Sequence, residues 1–132
     1  MAQDLFGGNW KTKLDGLAAA LRSLHKALID STQRDYEKKH GKIQGPYALF
    51  ALVAQDPAFA WLQPMTRAIV EIEDRLDPKA PPVLLDDFQA AQRSIRALLD
   101  PAGAGFAADY FRRVDGDPNV AVEHGRLQAH LK

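Results

Sequence analysis

The chain has 132 residues, 46% of them hydrophobic and 26% charged, with 17 Lys and Arg balancing 17 Asp and Glu and no cysteine. This length matches one domain and suffices for a core without covalent or metal staples. The missing cysteines exclude a disulfide scaffold, a thiolate zinc site, an iron–sulfur cluster and a cysteine nucleophile. A net charge of zero disfavours a dedicated nucleic-acid binder, which needs excess Lys and Arg to neutralise phosphates.

Residues 1–10 carry Asp4 where an export signal would be basic, and no long apolar stretch follows. The longest nearly apolar run, residues 46–54, falls far short of the roughly 20 residues a membrane helix needs. A soluble cytoplasmic protein is the expectation, with neither membrane nor nucleic acid as partner.

Trp10, Leu14, Leu17, Leu21, Leu24 and Leu28 recur at alternating spacings of four and three, the stripe of one helical face. With Asn9 as N-cap and Gly41 following the cationic Lys38, Lys39 and His40, a helix is expected over residues 10–40. Residues 1–9 are allowed for as a disordered terminus. Beyond Leu28 the stripe decays to Ser31 and Asp35, so the last third of the helix must pack differently.

Gly45 and Pro46 then introduce a short helix over residues 47–55, in which Leu49, Phe50, Leu52 and Val53 leave almost no polar face. Such a helix is expected to be buried. Asp56-Pro57 reads as an N-cap and first helical residue, opening a helix with Ala58, Leu62, Met65, Ile69, Ile72 and Leu76 in phase. Pro64 lies inside it and predicts a kink near Trp61. On its outer face Arg67, Glu71 and Arg75 stand at i,i+4 spacing, as solvated ion pairs would.

Three prolines in residues 77–82 mark a stiff connector. A helix over residues 83–99 sets Leu84, Phe88, Ala91, Ile95 and Leu98 at the same alternating spacing. After a Gly/Ala loop at 100–105 come an aromatic-rich helix, 106–114, and a last one opened by Asp117-Pro118, with Val120, His124, Leu127 and Leu131 in line. The shared phase predicts an all-α chain: an antiparallel helical bundle of five to six helices, kinked at Pro64, forming a single domain over residues 1–132. Phe50, Val53, Asp56, Pro57 and Ala60 are echoed 61 residues later by Phe111, Val114, Asp117, Pro118 and Ala121. The flanking residues do not match, so the echo reads as a recurring helix–corner–helix rather than a duplication.

Charge is uneven: residues 1–45 carry eight basic and five acidic residues, residues 56–100 five and eight. Attraction between neighbouring helices accounts for this asymmetry more simply than a docking surface does.

The residue types that could carry chemistry are few. Glu37-x-x-His40 puts a carboxylate and an imidazole one turn apart, as di-iron bundles do, but those sites need the motif twice, and Glu123-His124 has the wrong spacing. Glu37 and His40 therefore stand as a metal pair only in an alternative reading. Asp115 to Asn119 resembles a calcium loop until Val120 and Arg126 replace the required glycine and glutamate. Ser23, Ser31 and Ser94 lie mid-helix without a nucleophile elbow, and no glycine pattern fits a phosphate loop. No residue is assigned a catalytic role and no cofactor is expected. His25 flanks the core stripe on a face shared with Tyr36, where a core histidine hydrogen-bonded to a carboxylate or carbonyl is the simplest account. The sharper one is a small-ligand pocket walled by the Pro64 kink and Trp61, with His25, Tyr36 and Tyr47 as its polar groups.

Leu24-His25, Tyr36-Glu37, His40-Gly41, Pro46 and the run from Asp56 through Pro57, Ala58, Phe59, Ala60, Trp61, Leu62 and Gln63 to Pro64 resemble a group of short, wholly helical bacterial proteins of uncharacterised function. The resemblance covers residues 20–77. It implies a bacterial, cytosolic origin and supplies no activity. The sequence thus favours a non-enzymatic protein-binding or self-associating module, the alternative being a small-ligand or metal-binding bundle using His25, Tyr36, Glu37 and His40. A homodimer is expected, because the stripe of the first helix is as regular as a coiled-coil seam and one small bundle must also cover Val70, Leu85 and Phe111.

Overall fold

A computed structural model describes residues 8–103 and 105–132. The chain is all-α, with α1 Gly8–His40, α2 Pro46–Gln55, α3 Pro57–Ala60, α4 Gln63–Leu76, α5 Leu85–Leu98, α6 Phe106–Gly116 and α7 Pro118–His130. The allowance for a disordered terminus falls, for residues 1–7, outside the described residues. Gly8 and Asn9 already lie within α1, so the cap expected at Asn9 is part of the helix.

α1 is the spine. At about 1.5 Å per residue its 33 residues span about 50 Å, and α3, α4, α5 and α7 all pack on it. Leu14, Leu17, Leu21, Leu24 and Leu28 are wholly buried, as their spacing predicts. Their burial is completed by the chain's own helices, so this stripe is not free to act as an intermolecular seam. α4 and α7 run antiparallel to it: His25 meets Thr66 and Arg22 meets Glu73 on α4, while Arg34 meets Asp117 at the start of α7 and Gly16 lies against His130 at its end.

Asp56 and Asp117 are N-caps, their carboxylates accepting from the amides of Ala58 at 2.9 Å and Asn119 at 3.0 Å. Each satisfies an orphan donor of the following first turn. The expected kinked helix is instead two. α3 ends at Ala60, Trp61 and Leu62 turn, and Pro64 stands in the first turn of α4, where its missing N–H costs nothing. The surface pairs expected along α4 are replaced by one across the bundle, Arg75 to Asp87 at 3.2 Å.

In α5 the inward face is rotated from the expected one. Ile95 and Leu99 are buried as part of it, but so is Gln92, whereas Leu84 is 44% exposed. The polar Gln92 is tolerated because its Nε2 donates to the carbonyl of His130 at 3.0 Å. Beyond Leu28 the spine continues inward through hydroxyls, Ser31 and Thr32 being buried, and Thr32 donates to the Leu28 carbonyl at 2.8 Å.

The largest departure is α2. An apolar helix was expected in the interior, yet none of its residues is buried. Tyr47 is 90% exposed and Phe50 75%. Hydrophobicity dictates that such a helix seeks cover but not which surface provides it, and this chain's core is already closed by the other helices.

Candidate functional site

Four residues, His25, Tyr36, Tyr47 and Trp61, were candidates for one ligand pocket. The structure sends them to separate places. His25 is half-buried on α1, with its Nε2 3.0 Å from the hydroxyl of Thr66. That hydroxyl donates to the Leu62 carbonyl, so His25 is the donor to it. Burial lowers the imidazole pKa from its ordinary 6.5, which keeps the ring neutral. Trp61 stacks on Phe106 with ring centres 5.5 Å apart and carries the Arg113 guanidinium 5.8 Å over its face. Tyr36 packs between His40 and Phe59, at 4.5 and 5.9 Å. Tyr47 lies on the exposed side of α2.

Of the pair considered for a metal, Glu37 is engaged by the chain's own turn, while the His40 ring lies against Tyr36. One carboxylate oxygen of Glu37 accepts from the Ile43 amide at 2.8 Å, and its carbonyl accepts from Gly41 at 2.9 Å. Among the described residues no three His, Asp or Glu side chains cluster as a metal site would require.

What the structure does assemble at this end is an apolar surface beside a cleft. Gly41 and Gly45 adopt φ of 85° and 93°, left-handed values that suit glycine, and residues 41–45 turn the chain off the end of α1. Pro46 then starts α2, which packs mainly on α3. Leu49, Leu52 and Val53 lie partly buried against the bundle. Tyr47, Phe50, Ala51 and Ala54 form the uncovered stripe. Between α2 and the end of α1 an open cleft of about 570 Å³ is lined by Tyr36, Ile43, Ala48 and Leu52, with His40, Lys42 and Asp56 also in its lining. Tyr36 and His40 are thus the two candidate residues that share a cavity. α2 contains no charged side chain.

Two further clusters have no counterpart in the sequence reading. Tyr110 is wholly buried, and its hydroxyl lies 2.5 Å from His124 Nδ1. Burial pushes the phenol well above its ordinary pKa and the imidazole below its own, so the phenol keeps its proton and donates it to a neutral ring. The stripe placed His124 on an inward face, but a partner fourteen residues away leaves no sequence signal. The second cluster ties α6 and α7 to the polar end of the spine. Arg113 donates to the Ser31 carbonyl and hydroxyl, at 3.2 and 3.0 Å, and pairs with Asp35, while Arg34 pairs with Asp117. Burial alone would raise the Asp117 carboxyl, but the Asn119 amide, the Ser31 hydroxyl, the Arg34 charge and the Val120 amide together hold it below the usual value. With each cation matched to a carboxylate, this network acts as a clasp between helices.

No protein-family model, curated protein or solved structure matches the chain. Among the described residues no helix is long and apolar enough to cross a membrane.

Proposed function

We propose that this chain is a non-enzymatic interaction module of the bacterial cytoplasm that binds protein through the outer stripe of α2. The observation that carries the reading is the exposure of Tyr47 and Phe50 on a ten-residue helix without a single charge. Aromatic side chains present roughly 150–250 Å² each, so these two alone expose about 300 Å² of contiguous apolar surface, on the scale of functional patches. Aromatic anchors of this kind dominate the energetics of protein interfaces. The small-ligand alternative loses support because its four residues do not share one cavity.

The test is a photo-crosslinking amino acid placed at position 50 in the full chain, irradiated in cells. A discrete protein adduct, whether with this chain or another, that disappears when Tyr47→Ala is added supports the reading. A folded protein giving no discrete adduct overturns it.

A further inference from the structure

We infer that the surface covering α2 is a second copy of the chain, docked reciprocally so that Tyr47 and Phe50 of each copy enter the cleft beside α2 of the other. The inference rests on the interaction reading above and names its partner.

Area is the first argument. The outer stripe of α2 offers about 400 Å² when Ala51, Ala54 and Pro46 are added to the two rings, so a one-sided contact with the shallow cleft would remove only about 500 Å² from the two partners together, the range of adventitious contacts. Reciprocal docking uses both stripes and both clefts and brings the total to about 1,000 Å², the lower bound of a specific interface. The cleft has the volume for this, at about 570 Å³, and walls of Ile43, Ala48 and Leu52 that suit aromatic rings.

Position is the second. The protruding rings and the cleft lie side by side on one helix, Ala51 belonging to both. A surface that carries both knob and hole at one place is self-complementary about a two-fold axis and closes at two copies. Charge is the third. With α2 uncharged, two copies of it meet without like-charge repulsion, and Lys42 and Asp56, which line the same cleft, give each copy a cation and an anion to set against the other's. Asp56 caps α3 through one oxygen and leaves its other for such a contact.

The chain's own described helices cannot supply the cover, since all but α2 are committed to the core around α1.

Light scattering on the full chain between 10 and 200 μM decides the matter. The expected result is a mass of twice 14.6 kDa with a Kd at or below about 10 μM. Phe50→Glu and Tyr47→Ala should each weaken the dimer at least tenfold, as should Ala48→Trp, which fills the cleft; circular dichroism should stay unchanged. Val122→Glu, at a residue 54% exposed on α7, should leave the mass unaltered. A monomer throughout this range, or a dimer indifferent to the changes at 47, 48 and 50, overturns the inference. A monomer whose position-50 crosslinker captures a different protein overturns it while the interaction reading stands. A monomer that instead sediments with phosphatidylserine vesicles through Phe50 overturns both.

Discussion

Replacing Arg113 tests whether the polar end of the spine is held by the clasp rather than by apolar packing. Arg113→Ala removes two hydrogen bonds to Ser31, itself only 5% exposed, the pair with Asp35 and the contact over Trp61. The Ser31 bonds contribute about 1 kcal/mol together, because a nearly buried hydroxyl loses an incoming donor while keeping its own bond to Asp117, and the carbonyl remains in a helix. Asp35 is 53% exposed, so that pair adds only about 0.5 kcal/mol, and the ring contact adds about as much. The expected loss is about 2 kcal/mol. At about 2.1 cal/mol/K of unfolding entropy per residue, it corresponds to a fall of about 7 °C in the melting temperature. Arg113→Lys should recover only part of this: the bonds to Ser31 and Asp35 all come from the one nitrogen Nη1, which a shorter ammonium reaches less well, and the planar contact over Trp61 is lost. Thermal melts followed at 222 nm, with urea titrations for free energy, measure both. An Arg113→Ala protein melting within 2 °C of the parent would refute the clasp.

Asp56→Ala should cost about 1 kcal/mol through the lost cap, and Asp117→Ala more, because Asp117 also pairs with Arg34; urea midpoints that do not move would show the caps to be ornamental. Stability should be full above pH 6.5 and decline as pH falls below it, since burial holds the folded pKa values of His25 and His124 below 6.5 and the unfolded chain therefore binds more protons there. Urea unfolding from pH 7.5 to 5 measures this, and a free energy that is flat or rises on acidification contradicts it. Pro64→Ala should cost less than about 1 kcal/mol and leave Trp61 emission unchanged, because Pro64 begins α4 rather than bending a helix. A shifted emission maximum would show that the ring imposes the turn at Trp61 and Leu62.

The features legible in the sequence are the local ones. A stripe of leucines with no competing face could only be the inner side of α1, and the Asp-Pro corners at 56 and 117 declare themselves through a cap and a first-turn proline. In α5 the apolar pattern pointed to Leu84, Phe88, Ala91, Ile95 and Leu98, whereas the buried face takes in Gln92 and Leu99. The deciding contact, Gln92 with the end of α7, joins residues 38 apart and involves a polar side chain that periodicity discounts. Tyr110 with His124 and Arg113 with Ser31 are illegible for the same reason. The misplacement of α2 has a different origin. Its composition marks an apolar helix, but the pattern along the chain is silent about which surface of the fold would cover it, and none of its residues is buried.

The reliance of so many helices on α1 also shapes how the molecule comes apart. Because most contacts between helices end on one uninterrupted helix, the first structure to form on folding can be a local one, α1 with the neighbouring α4, whereas docking α7 closes long loops such as that between Arg34 and Asp117 and comes later. Amide hydrogen exchange should then be slowest along residues 14–28, where every inward leucine is sealed, and progressively faster toward His40. At that end the spine is guarded by hydroxyls, ion pairs and a turn that leads into the outlying α2. The surface from which α2 projects is therefore also where the native state opens at least cost, and anything that covers α2 slows exchange there before it does so anywhere else.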